Sequence, residues 1–257
     1  MSGRSAVVTG ASKGIGRAIA IALARDGWDV VVNFATNEGA AKETVDAIFD
    51  AGAQAVVVGG DVTDPATSAR LASAASELGV LEAWVNNAGV SALAPIIDTS
   101  VADMEWMLAV NCVGTFHGLQ AAARTMIAAG TRGRIVNVAS EAAVLTFPFM
   151  GAYAASKFAV VGLTQAAAIE LGPHGISVNA VGPGTTETDM VLAERRSEVS
   201  ITGLAPEDVR ASYLANIPLG RFCVPEDTGA LVAFLVSPAA AYVTGQIICN
   251  NGGSVLH

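Results

Sequence analysis

Tyr153 and Lys157 stand four residues apart in the run Tyr153-Ala154-Ala155-Ser156-Lys157. On a helix, that spacing puts a phenol and an ammonium on one face. A phenol ordinarily titrates near pKa ~10, too high for a good base at neutral pH. A neighbouring cation favours the phenolate and lowers that value, so the pair could exchange a proton with a substrate oxygen. The same spacing also occurs on ordinary solvated helix faces. Its weight therefore depends on what the rest of the chain supplies.

A second chemical signal lies near the amino terminus, in Thr9-Gly10-Ala11-Ser12-Lys13-Gly14-Ile15-Gly16. It follows an apolar strand, Ser5 to Val8, and opens a helical segment. Glycines let a backbone turn tightly and approach a pyrophosphate closely. The helix start adds unpaired N–H groups and a partial positive charge. Gly10, Ser12, Lys13, Gly14, Ile15 and Gly16 are therefore candidate dinucleotide contacts. The spacing is G-x-x-x-G-x-G, distinct from the G-x-G-x-x-G fingerprint.

The end of the second strand bears on which dinucleotide is taken. An acidic residue there binds the ribose 2′-hydroxyl of NAD. This chain reads Val32-Asn33-Phe34-Ala35-Thr36-Asn37, with no carboxylate before Glu38. Asn33 is neutral and would not repel a 2′-phosphate, and Lys13 could pair with one. The sequence thus favours NADP(H) over NAD(H).

These residues need a scaffold, and the chain alternates short β-branched runs with longer alanine-rich segments. Strands are expected at Ala6–Thr9, Asp29–Asn33, Ala55–Gly59, Ala83–Asn86, Arg134–Ala139, Ser177–Val181 and Gln246–Cys249. Most are nearly continuous apolar runs, as in parallel strands buried on both faces. Helices are expected at Ile15–Arg25, Gly39–Ala51, Pro65–Leu78, Val101–Ala128, Tyr153–Leu171 and Pro225–Val236. The pattern predicts one α/β domain over residues 1–257, a Rossmann-type doubly wound parallel sheet with helices on both faces. Residues 185–219 break the rhythm with mixed charge and space for two short helices. That excursion reads as a substrate loop.

Composition narrows the function classes. Of 257 residues, 52% are hydrophobic and 14% charged, which suits a large buried core. The formal charge of −9 disfavours nucleic acid, since an acidic surface repels phosphate backbones. The longest apolar stretch, Ala230 to Val243, is broken by Ser237-Pro238 and too short for a membrane span. Cys112, Cys223 and Cys249 are scattered, form neither a metal spacing nor a disulfide framework, and read as buried thiols of a cytoplasmic protein. No metal is expected.

Taken together, the motifs resemble the short-chain dehydrogenase/reductase family over nearly the whole chain. They are Thr9-Gly10-x-x-x-Gly14-x-Gly16, Asp61-Val62, Asn86-Asn87-Ala88-Gly89, Asn111, Ser140, Tyr153-x-x-x-Lys157 and Pro183-Gly184. The resemblance implies that Asp61 and Val62 contact the adenine, and that Asn87, Ala88 and Gly89 support the adenosine side. It implies that Ser140 bonds the reacting oxygen, that Tyr153 moves the proton, and that Lys157 lowers the tyrosine pKa and holds the nicotinamide ribose. Asn111 would kink its helix and hold a water that relays protons to Lys157. Pro183, Gly184, Thr186 and Thr188 would contact the nicotinamide end. The family also implies a homotetramer packed through the long helices and the carboxyl-terminal segment.

Shorter stretches resemble acetoin/diacetyl reductases and polyol dehydrogenases of this family, among them Gly118-Leu119-Gln120-Ala121-Ala122 and Ile217-Pro218-Leu219-Gly220-Arg221. Asn33-Phe34-Ala35 resembles the 3-oxoacyl-acyl-carrier-protein reductases instead. Asn251-Gly252-Gly253 departs from the usual Asp-Gly-Gly. The leading expectation is a reductase of a small ketone, hydroxyketone or polyol. An acyl-carrier-protein thioester reductase and a catalytically idle dinucleotide sensor are the alternatives. Glu141 follows Ser140 and is backed by an apolar wall, Ala142 to Met150; pointing inward, it would accept a bond from a second substrate hydroxyl.

Overall fold

The computed structural model describes residues 3–256. Seven strands form one parallel sheet: β1 (Arg4–Val8), β2 (Asp29–Phe34), β3 (Ala55–Gly59), β4 (Val80–Asn86), β5 (Arg134–Val138), β6 (Ser177–Pro183) and β7 (Ile247–Asn250). Their order is β3-β2-β1-β4-β5-β6-β7. The chain therefore reverses direction across the sheet between β1 and β4, and a crevice opens outside the carboxyl ends of these strands. The register sets Val7 beside Val31 on one side and Trp84 on the other.

Alternating side chains feed two cores. Ala6, Val8, Val30 and Val32 face one layer, with Ile19, Leu23, Val232 and Leu235. Val7, Val31 and Trp84 face the other, with Leu71, Leu119, Met126 and Ile176. The first layer is carried by α1 (Gly14–Arg25), α2 (Glu38–Asp50) and α9 (Pro225–Val236). The second is carried by α3 (Pro65–Leu78), α5 (Gly114–Ala128) and α6 (Gly151–Leu171). Each large side chain fully removed from water here contributes about 1.5–3 kcal/mol relative to exposure. No helix of the described residues is long and apolar enough to cross a membrane.

Two departures from expectation bear on the site. The helix expected over Val101–Ala128 is divided into α4 (Val101–Met107), a π-helical segment over Leu108–Val113, and α5. The wider turn inserts one residue into the helical ladder and turns Asn111 inward, where it is fully buried. The 185–219 excursion contains α7 (Asp189–Thr202) and α8 (Pro206–Ala215), longer than simple lid turns.

Candidate active site

The glycine-rich turn is held by side chains with no freedom left. Thr9 Oγ1 accepts from the backbone N–H groups of Asn87 and Ala88 at 2.9 and 3.0 Å. Asn87 Nδ2 donates back to the carbonyls of Thr9 and Gly10 at 2.9 and 3.2 Å. The first and fourth strand ends are thereby stitched together at the switch point. Gly10 has φ +61°, a left-handed conformation that favours glycine. A Cβ on Gly16 would lie 2.4 Å from the Gly10 carbonyl oxygen, so only glycine fits there. Lys13, the residue before α1, caps no N–H group with its side chain, which leaves the helix start free to face an anion.

A cavity of about 1250 Å³ runs from this turn across the carboxyl ends of the strands. It has room for a dinucleotide together with a small substrate. Gly10, Ser12, Lys13, Gly14, Ile15, Gly16, Asp61, Val62, Asn87, Ala88 and Gly89 line one arm. Ser140, Glu141, Tyr153, Lys157, Pro183, Gly184, Thr186 and Thr188 line the other. Residues far apart in sequence thus share one cleft, and its backbone cradle fits a dinucleotide. Asn111 lies behind the wall.

The structure corrects the reading of Asn33. Its amide points inward: Oδ1 accepts from the Gly10 N–H at 3.2 Å, and Nδ2 donates to the carbonyls of Val58 and Gly60, both at 3.1 Å. Asn33 does line the cavity, but its amide braces the turn and its polar atoms are already engaged. The cavity surface beyond the strand is formed by Ala35, Thr36 and Asn37. Lys13 is also engaged, in an exposed ion pair with Asp189 of α7 at 2.7 Å. Local sequence could reveal neither arrangement, because the partners lie up to 176 residues away.

Tyr153 and Lys157 do share a face of α6, and both are buried. Lys157 Nζ donates to the Val138 carbonyl at 2.9 Å and lies 5.8 Å from the centre of the Tyr153 ring. Burial depresses the Lys157 ammonium to about 8. The lowering of the tyrosine pKa expected from Lys157 is not the net direction in this structure. Burial pushes the Tyr153 phenol up, the carboxylates of Glu194 and Glu141 push it further, and only the Ser140 hydroxyl pulls it down. Desolvation of the phenolate outweighs an ammonium directed at a backbone carbonyl. Tyr153 is thus held as a phenol, the form that can donate a proton.

Asn111 is a clamp. Its Oδ1 accepts from the Val90 N–H at 2.8 Å, while Nδ2 donates to the Val90 carbonyl and Ser156 Oγ, each at 2.9 Å. Its own carbonyl takes the Thr115 hydroxyl at 2.7 Å. The side chain expected to hold a relay water instead joins the π-helical segment to α6. Thr186 is similarly occupied, its hydroxyl donating to the Gly184 carbonyl at 2.8 Å.

Glu141 is buried and lines the cavity, but its carboxylate accepts a short hydrogen bond from Ser254. Burial raises the Glu141 carboxyl above its ordinary range, against the pull of Ser254, Asn251 and the Thr185 backbone. The departure at residue 251 gains a reason: an aspartate there would set a second carboxylate against Glu141. The apolar wall expected over Ala142–Met150 is present through Ala142, Phe147, Pro148, Phe149 and Met150. Phe149 has φ +67°, a strained backbone for a bulky residue and one common at binding sites. Glu194 and Tyr213 of the 185–219 excursion also reach the cavity. The sequence reading passed over both, although a glutamate amid the apolar positions of α7 is a legible oddity.

Comparison with known proteins agrees with this geometry. The family model for short chain dehydrogenase matches residues 4–199. The chain is 42% identical over 250 residues to an L-2,3-butanediol dehydrogenase of Corynebacterium glutamicum, covering 96% of this chain and 97% of that protein. It is 39% identical over 254 residues to an L-rhamnose 1-dehydrogenase (NAD(P)(+)) of Sphingomonas sp. (strain SKA58), covering 98% and 96%. A crystal structure from Sinorhizobium meliloti 1021, assigned as a short-chain alcohol dehydrogenase, superposes with a TM-score of 0.89 at 39% identity, over 99% of this chain and 97% of that one.

Proposed function

The chain belongs to the short-chain dehydrogenase family, and from that premise we propose that it interconverts a small neutral hydroxyketone or diol with its oxidised partner, using NADP(H) in preference to NAD(H). It is an oxidoreductase of alcohol and ketone groups. The observation that carries the narrower reading is the buried group of Ser140, Tyr153 and Lys157 at the end of a dinucleotide-sized cleft, against an apolar wall. The butanediol and rhamnose dehydrogenase relatives support a small hydroxylated substrate.

When bound, the nicotinamide cofactor supplies or accepts the hydride. The glycine-rich turn and the start of α1 would hold its pyrophosphate, Asp61 and Val62 would flank the adenine, and Asn87, Ala88 and Gly89 would back the adenosine side. Pro183, Gly184, Thr186 and Thr188 would border the nicotinamide end, and Lys157 would hold the adjoining ribose. Ser140 Oγ bonds the substrate oxygen. In reduction, Tyr153 Oη gives that oxygen its proton; in oxidation it takes the proton back. A protonated Lys157 beside Tyr153 offsets the negative charge left on the phenol oxygen.

The NADP(H) preference rests on the cavity surface at Ala35, Thr36 and Asn37, which carries no carboxylate to repel a 2′-phosphate. The Lys13–Asp189 pair weakens the attraction Lys13 alone would exert, so NAD(H) is tolerated. Exposed Met104, Trp106, Phe116, Phe158 and Ile169 on α4, α5 and α6 support a homotetramer. Free Cys112, Cys223 and Cys249 suit a reducing cytoplasm.

A cofactor-oxidation assay tests the reading. Diacetyl and acetoin are expected to consume NADPH faster than acetoacetyl thioesters, and NADPH faster than NADH. Preference for the thioester would establish the acyl-carrier reading instead. Tight cofactor binding without turnover of any carbonyl would establish the sensor.

A further inference from the structure

Of the fourteen residues of α7, the one that is buried is a glutamate. Glu194 is 8% exposed. Met190, Val191, Glu194 and Glu198 recur at helical spacing and line the cavity that also holds Ser140 and Tyr153. The lid helix therefore turns one face to the reacting end, and a carboxylate sits in it. An ionised carboxyl out of water needs a partner, or it is strongly disfavoured.

No cation forms a salt bridge with Glu194 among the described residues, although the charge of the adjacent Arg195 favours its ionised form. The neighbouring Arg195 lays its guanidinium over the rings of Phe222 and Tyr213, at 4.3 and 5.8 Å. Lys157 donates to Val138, and Lys13 pairs with Asp189. Of the other carboxylates lining the cavity, Glu141 takes the Ser254 hydroxyl and Glu198 the Tyr213 hydroxyl at 2.6 Å. The Ser91 hydroxyl lies beside Glu194 and favours its ionised form, and Ser91 Oγ has no other hydrogen-bond partner among the described residues. A buried carboxylate, with one hydroxyl beside it and acceptor capacity to spare, shares the cavity with the proton-transfer tyrosine.

We propose that Glu194 recognises a second hydroxyl of the substrate, with Ser91 beside it, and that this contact selects vicinal diols and hydroxyketones over simple alcohols and ketones. A substrate O–H gives the carboxylate a further donor beside Ser91. A substrate lacking that hydroxyl leaves the buried carboxylate one donor short, the kind of loss by which a polar pocket discriminates. The inference rests on the alcohol–ketone reading above and assigns the selectivity within it.

The test compares kcat/KM for 2,3-butanediol and 2-butanol in the wild type, Glu194→Leu and Glu194→Gln. Both rates are taken on one preparation, so a change in folded fraction cancels from their ratio. The wild type is expected to favour the diol. Glu194→Leu should lower the diol-to-butanol ratio roughly 10- to 100-fold, the size of a hydrogen bond to a charged group. Glu194→Gln retains an acceptor oxygen and should recover part of that loss. A ratio within twofold of wild type in Glu194→Leu overturns the proposal, as does a wild type that uses both alcohols equally. Turnover of neither alcohol by the wild type would overturn the functional reading itself, and this proposal with it.

Discussion

The two arms of the cleft are built on opposite principles. In the cofactor arm, the bracing polar side chains have partners: Thr9 and Asn87 bond to each other's backbone, and Asn33 closes on Gly10, Val58 and Gly60. Arg17, with Thr44, fixes the Ser12 carbonyl from outside. This arm presents backbone and small residues in one rigid shape. The substrate arm instead buries Glu141, Tyr153, Lys157 and Glu194 close together, and burial shifts the titration of each toward its neutral form. A site for an invariant ligand can be satisfied in advance. A site that moves protons and chooses among substrates keeps groups whose best partners arrive with the ligand.

The largest expected effect breaks the second arm. Tyr153→Phe removes one oxygen and keeps the ring, so kcat should fall roughly 10²- to 10⁴-fold while cofactor affinity, followed by nucleotide fluorescence, stays within about twofold. Near-normal turnover would end the proton-transfer assignment. The matching change in the first arm is Gly16→Ala. Its Cβ meets the Gly10 carbonyl and the Asn87 amide at 2.4 and 2.5 Å. Relieving such overlap typically costs ~1–3 kcal/mol, and cofactor affinity should fall about tenfold or more. Unchanged affinity would mean the turn is softer than the contrast requires.

A smaller effect sharpens the contrast at the cofactor end. Ala35→Asp puts a carboxylate on the cavity surface, where Asn33→Asp would instead disrupt an internal brace. The NADPH-over-NADH preference, measured as the ratio of kcat/KM values for the two cofactors, should fall about tenfold. No change would show that the 2′-position is read elsewhere.

The smallest effect concerns stability. Lys157 titrates near 8 in the folded chain, against 10.5 ordinarily. A depressed folded pKa contributes stability above pH 10.5 that is lost as pH falls through about 8, so at pH 7 the buried ammonium burdens the fold. A shift of this size corresponds to ~3 kcal/mol, less ~1 kcal/mol for the hydrogen bond to Val138. Lys157→Met should therefore raise Tm by a few degrees at pH 7 while abolishing turnover, and the gain should shrink between pH 8 and 10.5. A lower Tm at pH 7 would show that the lysine is structurally required.

Much of this architecture was legible in the residues. Continuous β-branched runs such as Val30-Val31-Val32 can only be buried on both faces, and their alternation with alanine-rich helices leaves few topologies besides a doubly wound sheet. Gly10, Gly14 and Gly16 mark the turn, because backbone requirements are local. The Tyr153/Lys157 pair was readable because helix periodicity alone brings the two together. Fine detail was less so: β1 begins at Arg4 and β6 continues to Pro183, since strand ends follow neighbouring strands.

What the tertiary structure alone decided is where charge goes. Whether Lys13 meets a phosphate or Asp189, whether Asn33 faces a ribose or a turn, and whether burial or a nearby ammonium governs Tyr153 depend on residues distant in sequence and on the water excluded between them. Sequence determines which groups a chain owns and what its local backbone can do. Desolvation and long-range pairing are properties of the packed molecule. They turned an expected cofactor residue into a brace, an expected phenolate into a phenol, and an unnoticed glutamate on α7 into the carboxylate that a second substrate hydroxyl would complete.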